Sequence, residues 1–204
     1  MPEEKIRYYS LILLGACVFA FILQAIPGFT EAFLLESSDV FARPWILVTS
    51  IFLHGSLEHL AFNMFALFLF GLLLEQFVGS RKFLVIFFLS GIAASIASAF
   101  FYPFSLGASG AIYGIIGTLA AVRPKMIVWA YGVPMPMVVV GIFYLLLDIG
   151  GLFYPSDIAN AAHIGGLIVG AAIGLAIRRP EPKAEKREKV LQEEEIKKWE
   201  DEWM

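Results

Sequence analysis

The chain reads as an all-α membrane protein, a bundle of six transmembrane helices, and three observations predict it. Hydrophobic residues make up 59% of its 204 positions and charged residues only 16%, against roughly 25% charged in a soluble domain; the mean hydropathy is +0.76. The apolar residues gather into six runs bounded by Gly, Pro and charge, most of them close to the about 20 residues a helix needs to cross a hydrocarbon core. Lysine and arginine fall in every second connection between those runs, as loops on the cytoplasmic side do. About half of the charged residues, 16 of 33, lie in a tail after Arg178, and the part up to Arg178, with 8 basic and 9 acidic residues, is nearly neutral and offers no basic groove for nucleic acid.

The first run, Tyr8 to Ile26, is too long for a cleavable leader, and Pro27-Gly28 ends it. It contains Cys17, the single cysteine of the chain, which excludes an internal disulfide and reads as a buried thiol. A polar, acidic loop follows to Arg43, and Pro44 opens an apolar, partly helical segment reaching His54-Gly55. The second span runs from Leu57 to Val78 and the third from Phe83 to Phe101. The fourth begins near Ala108 and ends before Arg123-Pro124; with roughly 15 residues it is too short to cross unless it starts inside the membrane. Pro134 and Pro136 delay the fifth to about Met137, from which it runs to Ile149, and the sixth covers Ile158 to Ile177.

Lys5 and Arg7 precede the first span, Arg81 and Lys82 join the second to the third, Arg123 and Lys125 the fourth to the fifth, and Arg178 and Arg179 follow the sixth. All four positions share one face of a six-span arrangement, while the opposite loops carry Glu31, Glu36, Asp39 and Asp157, with Arg43 the exception. Both termini are therefore expected in the cytoplasm. The organisation follows: a membrane domain over residues 1–179 and a charged cytoplasmic tail over 180–204.

Ionisable groups within spans are costly and mark function by default. All three histidines lie in or beside spans near the outer side: His54 precedes the second span, His59 opens it, and His163 sits early in the sixth. Ser109, in Gly107-Ala108-Ser109-Gly110, stands at the outer start of the fourth, at a comparable depth. Gly110, Gly114 and Thr118 recur every fourth residue beside Ser109, and Ala162, Gly166, Gly170 and Gly174 do the same beside His163. Small-residue stripes let two membrane helices approach closely, although they also serve as dimerisation faces. Packing of the fourth span on the sixth would bring Ser109 within reach of His163, the geometry of a nucleophile and its base. His59 and Asn63 share one face of the second span and could donate to a developing oxyanion, with the helix start at Ser109 adding backbone amides. The same pair also suits hydrogen bonds that only hold helices together.

Taken together, Gly107-Ala108-Ser109-Gly110, Tyr113, His54 with His59 and Asn63, Ala162-His163 followed by Gly166, and the spacing Gly71, Glu75, Gly79 resemble the rhomboid intramembrane serine proteases over roughly Pro44 to Gly174. The resemblance implies Ser109 as nucleophile and His163 as general base, a dyad without a third acid. It implies an oxyanion hole of His59, Asn63 and the Ser109 amide, with Tyr113 packed on the His163 ring and His54 tying the outer loops. Gly107 joins these as a supporting residue. Transmembrane proteins entering sideways from the bilayer would be the substrates, without metal or organic cofactor. Asn160 and Asp157 are the nearby groups considered for orienting His163, and Glu75 is expected to pair with Arg81 or Lys82. The pocket would be lined by Ser105, Ser109, His59, Asn63 and His163. A mobile fifth span would hinge at Gly150-Gly151, with Phe153 as a plug. The first outer loop lacks the family's Trp-Arg pair, keeping only Arg43-Pro44-Trp45.

Other classes fit less well. Glu58-His59 lacks the second histidine of a metalloprotease helix. A transporter would call for internal repeats or more intramembrane charge than Glu75 and Asp148. A catalytically inactive rhomboid-like protein that binds transmembrane clients is the alternative reading, since fold and activity are separable. The tail alternates charge, as in Glu185-Lys186-Arg187-Glu188, and reads as a solvated helix or partly disordered segment.

Overall fold

Six apolar helices form the bundle, and the fourth stands at its centre. The computed structural model describes residues 6–130, 132–154, 158–178 and 193–203. The helices are α1 (Tyr9–Leu23), α2 (Leu57–Val78), α3 (Ser80–Phe101), α4 (Ser109–Val122), α5 (Met137–Gly151) and α6 (Asn160–Ile177). Three of them, α2, α3 and α6, are long and apolar enough to cross a membrane, at 22, 22 and 18 residues. An all-α membrane bundle is the architecture the sequence predicts. The second span matches its predicted bounds, the third starts three residues earlier at Ser80, and the sixth starts two later at Asn160.

Eleven of the fourteen residues of α4 are buried, as befits a helix that is apolar all round and packed on every side by protein. Its 14 residues span about 21 Å at 1.5 Å each, short of the roughly 30 Å hydrocarbon core. Glycine decides how its neighbours approach. A Cβ on Gly166 would run into the Gly110 carbonyl, one on Gly170 into the Gly114 carbonyl, and one on Gly174 would come within 2.9 Å of the Thr118 carbonyl. The small-residue stripes of α4 and α6 therefore face each other within the chain. Behind them, α3 contributes the small face Ser90, Gly91, Ala94, Ser95 and Ser98, all buried or nearly so. Below, Phe83, Phe87, Ile115, Ile116 and Leu119 close the core.

At the other end of the bundle, Glu75 is fully buried near the end of α2. Its Oε1 accepts from the Tyr9 amide (2.9 Å) and the Ser80 hydroxyl (2.7 Å), and its Oε2 from the Ser10 amide (3.0 Å) and hydroxyl (2.8 Å). The expectation of Arg81 or Lys82 as partners is corrected here: the carboxylate caps the start of α1, where backbone N–H groups have no helical acceptor, and pins it to the junction of α2 and α3. A π-turn at Leu67–Gly71 lies one turn earlier in α2, and a Cβ on Gly71 would come within 3.2 Å of Ser10.

The connections hold structure that the apolar pattern does not announce. Leu35–Glu36 (β1) pairs antiparallel with Phe104–Ser105 (β2), joining the loop after α1 to the segment leading into α4. Ile127–Ala130 (β3) and Val133–Pro136 (β4) form a hairpin between α4 and α5. Arg43, the one cation on the acidic side, is neutralised there by Glu36 (2.9 Å) and Asp39 (2.8 Å). Cys17 is buried, as expected. Glu193–Trp203 of the tail is helical.

Candidate active site

Ser109 occupies the first turn of α4 because the chain before it turns sharply. Gly107 has φ +127°, a conformation open to glycine, and its amide donates to the Ser50 carbonyl at 2.9 Å. A Cβ there would lie 2.8 and 2.9 Å from the His59 ring and 3.7 Å from Ser109 Oγ. The missing side chain is what allows His59 to lie against the loop that presents Ser109.

His163 lies in the first turn of α6, its amide donating to the Ala159 carbonyl at 3.1 Å. Its Nε2 is 2.8 Å from Ser109 Oγ, inside the reach a general base requires. The two residues are 54 apart in sequence and meet because the glycine stripes let α4 and α6 touch. Tyr113, one turn after Ser109, stacks on the His163 ring with centroids 4.2 Å apart and planes 15° apart. The ring is thus held in plane by Tyr113 and along its edge by Ser109.

The other edge carries a group the sequence reading passed over. His163 Nδ1 is 3.0 Å from Oδ1 of Asp148 on α5. Asn160 Nδ2 instead donates to the Ile158 carbonyl at 3.3 Å, and Asp157 lies outside the described residues. The expectation of a pair without a third acid is therefore corrected at the level of geometry. Asp148 shares the buried face of α5 with Met137, Val140 and Gly141, and Tyr144, one turn before it, packs on Tyr113 with ring centroids 5.2 Å apart; in the sequence Asp148 shows only as an ionisable residue inside the fifth apolar run.

His59 and Asn63 open α2. Ser56 caps that helix, its hydroxyl accepting from the His59 amide at 3.0 Å. His59 Nδ1 accepts from the Gly55 amide at 3.4 Å, which leaves Nε2, on the Gly107 side, as the donor of a neutral ring. Asn63 Nδ2 donates to the His59 carbonyl at 2.8 Å, and its second N–H remains for another acceptor. His54 is buried, and its main chain is clamped by Gln24, which accepts from the His54 amide at 2.9 Å and donates to its carbonyl at 3.1 Å. The His54 ring stands edge-on to His59 with centroids 5.1 Å apart.

A cavity of about 30 Å³ opens beside Ser109, lined among others by Ser50, Ser98, Ser105, Gly107 and Ser109, room for about one or two waters. Of the expected lining, Ser105 and Ser109 border this cavity. Gly150 and Gly151 lie within the last turn of α5, and Phe153 is 79% exposed, so it does not plug the site. Among the described residues, no three His, Cys, Asp or Glu side chains cluster as a metal site would require.

A membrane-embedded helical bundle with a serine and a histidine in contact at the N-terminal starts of two helices defines a narrow class. The rhomboid domain model matches residues 42–180, and the chain belongs to the rhomboid family. It is 38% identical over 182 residues to rhomboid protease GluP of Bacillus subtilis, covering 82% of this chain and 34% of that protein. It is 35% identical over 159 residues to rhomboid protease AarA of Providencia stuartii, covering 65% and 55%. It is also 35% identical over 137 residues to RHOMBOID-like protein 6, mitochondrial, of Arabidopsis thaliana, covering 65% and 43%. The chain thus spans about a third to a little over half of these relatives' lengths.

Proposed function

We propose that this chain is an intramembrane serine endopeptidase that cleaves transmembrane proteins near the outer boundary of the membrane. The observation that carries this reading is the 2.8 Å approach of His163 Nε2 to Ser109 Oγ; membership of a family whose named relatives include rhomboid proteases supports it. The cell membrane is the proposed location, with both termini cytoplasmic, residues 1–179 as catalytic domain and 180–204 as tail.

In this reading a substrate helix enters from the bilayer and unwinds locally. Ser109 Oγ attacks the scissile carbonyl while its proton passes to His163 Nε2. The carbonyl oxygen gains negative charge facing the Ser109 amide, His59 and Asn63; each such donor, preorganised in a water-poor site, is worth about 3 kcal/mol in the transition state. His163 then returns the proton to the leaving amine, and a water, deprotonated in turn by His163, releases the acyl group from Ser109. Tyr113 keeps the imidazole in plane, Gly107 leaves room for His59, and His54 holds the outer loop in place.

Cleavage of a model single-span substrate in liposomes tests the proposal, with Ser109→Ala, a fluorophosphonate inhibitor and a chelator as parallel arms. Cleavage by the wild type that is lost in Ser109→Ala and under the inhibitor, and untouched by the chelator, is expected. Cleavage by Ser109→Ala at the wild-type rate would overturn the nucleophile. Binding of transmembrane clients without cleavage would favour the inactive alternative.

A further inference from the structure

We propose that Asp148 is a positioning residue for His163, so that the site is complete only when the fifth helix is docked against the sixth. The proposal rests on the proteolytic reading above and adds a third helix to its machinery.

Asp148 is 3% exposed, and its Oδ2 finds no hydrogen-bond partner among the described residues. A carboxylate so placed is costly to bury, and its one polar contact among the described residues is His163 Nδ1 at 3.0 Å. An ionised carboxylate can only accept, so the shared proton sits on Nδ1; the neutral ring must then accept at Nε2, and Ser109 is left to donate. That is the single tautomer in which His163 can take the Ser109 proton. Asp148 also faces the imidazolium formed when it does so, offsetting a charge that would otherwise be stranded in the bundle.

The helix that carries Asp148 is buried at only four of its 15 residues, Met137, Val140, Gly141 and Asp148. The outward face of α5 is broadly apolar, with Ile142, Leu146 and Leu147 about half exposed. Two of its inward contacts lie at the site, one turn apart: Tyr144 on Tyr113, with centroids 5.2 Å apart, and Asp148 on His163. Moving α5 outward to admit a substrate would break both at once and release the His163 tautomer. The structure thus ties base orientation to the position of α5, and cleavage must follow its return. Were Asp148 only a structural tether, its loss would loosen the bundle but leave the tautomer to Tyr113 and Ser109.

The test compares the full-length wild type, Asp148→Asn, Ser109→Ala and His163→Ala in detergent and liposomes. Steady-state cleavage, the rate of fluorophosphonate labelling of Ser109 and thermal unfolding are measured on each. Asp148→Asn keeps the shape but can offer Nδ1 an N–H, favouring the wrong tautomer. It is expected to lower kcat and the labelling rate about 100-fold or more while KM stays within about twofold. A kcat within about threefold of wild type, or a loss carried by KM alone, would overturn the proposal. ¹⁵N-histidine NMR of the Ser109→Ala protein, with signals assigned through single histidine variants, reads the same point without activity or the Asn variant. His163 protonated at Nδ1 is expected, and protonation at Nε2 in the neutral ring would overturn the proposal. A wild type that neither cleaves nor labels would instead defeat the proteolytic reading, and the NMR result would still decide Asp148.

Discussion

Thr118 on α4 donates its hydroxyl to the Gly170 carbonyl on α6 at 2.8 Å, across a helix pair too close for any side chain on Gly170. The same hydroxyl bonds the Gly114 carbonyl of its own helix at 2.9 Å. Contact and hydrogen bond together set how far Ser109 stands from His163 at the N-terminal end of the same pair. Gly170→Ala is expected to destabilise by about 1–3 kcal/mol through overpacking and to abolish most cleavage by spreading the helices. Thr118→Val should cost only about 0.6 kcal/mol, a typical interhelical hydrogen bond, and leave activity within a few-fold. Thermal unfolding in detergent beside cleavage rates checks the order.

Gly107→Ala places a methyl group against the His59 ring in a backbone conformation with φ +127°. The strain costs about 1–3 kcal/mol of stability. Because the clash falls on a proposed oxyanion donor, kcat should drop more than tenfold even where the protein remains folded. Equal kcat in mutant and wild type would show that His59 can move without consequence.

Glu75→Gln is expected to destabilise the protein by about 2 kcal/mol or more, because the amide turns an N–H₂ toward donors that need an acceptor. Two backbone amides of α1 and the hydroxyls of Ser10 and Ser80 lose acceptor capacity. Protease digestion of the folded protein, followed from the first helix, should show α1 released first. Residual activity of the folded fraction should stay close to wild type, since Glu75 lies at the opposite end from Ser109.

His54 supplies a pH dependence. Burial pushes its imidazole down from 6.5 to about 4, the neighbouring His59 adds to the shift, and the Phe52 carbonyl opposes it. The unfolded ring takes up a proton near 6.5 while the folded one stays neutral to about 4, so the unfolded state binds more protons in between. Stability is undiminished above about pH 6.5 and falls as pH drops toward 4. His54→Gln should flatten that slope in unfolding scans; Gln24 holds only the His54 main chain, so the loop contact survives the substitution.

The site was legible where its parts carry a local pattern. Ser109 and His163 stand next to stripes of small residues, and a stripe on each of two helices is a statement about which helices touch. The six apolar runs set the bundle because the bilayer demands length and internal hydrogen bonding, both readable along the chain. The hairpin between α4 and α5 and the two-residue pairing of Leu35–Glu36 with Phe104–Ser105 were not legible: pairings that short leave no periodicity, and Pro134 and Pro136 argue against a strand.

By itself, then, the sequence determined the class of protein, the number and order of the helices, and the two residues that meet at 2.8 Å. Only the tertiary structure decided what stands behind them. Asp148 could be weighed from sequence as an intramembrane charge but not as a partner of His163, because a third helix brings it there. Glu75 likewise found its donors at the far end of the chain, on Tyr9 and Ser10. The reason is physical: composition and spacing say that a buried charge must be paired, whereas the rotation and packing of whole helices choose the partner.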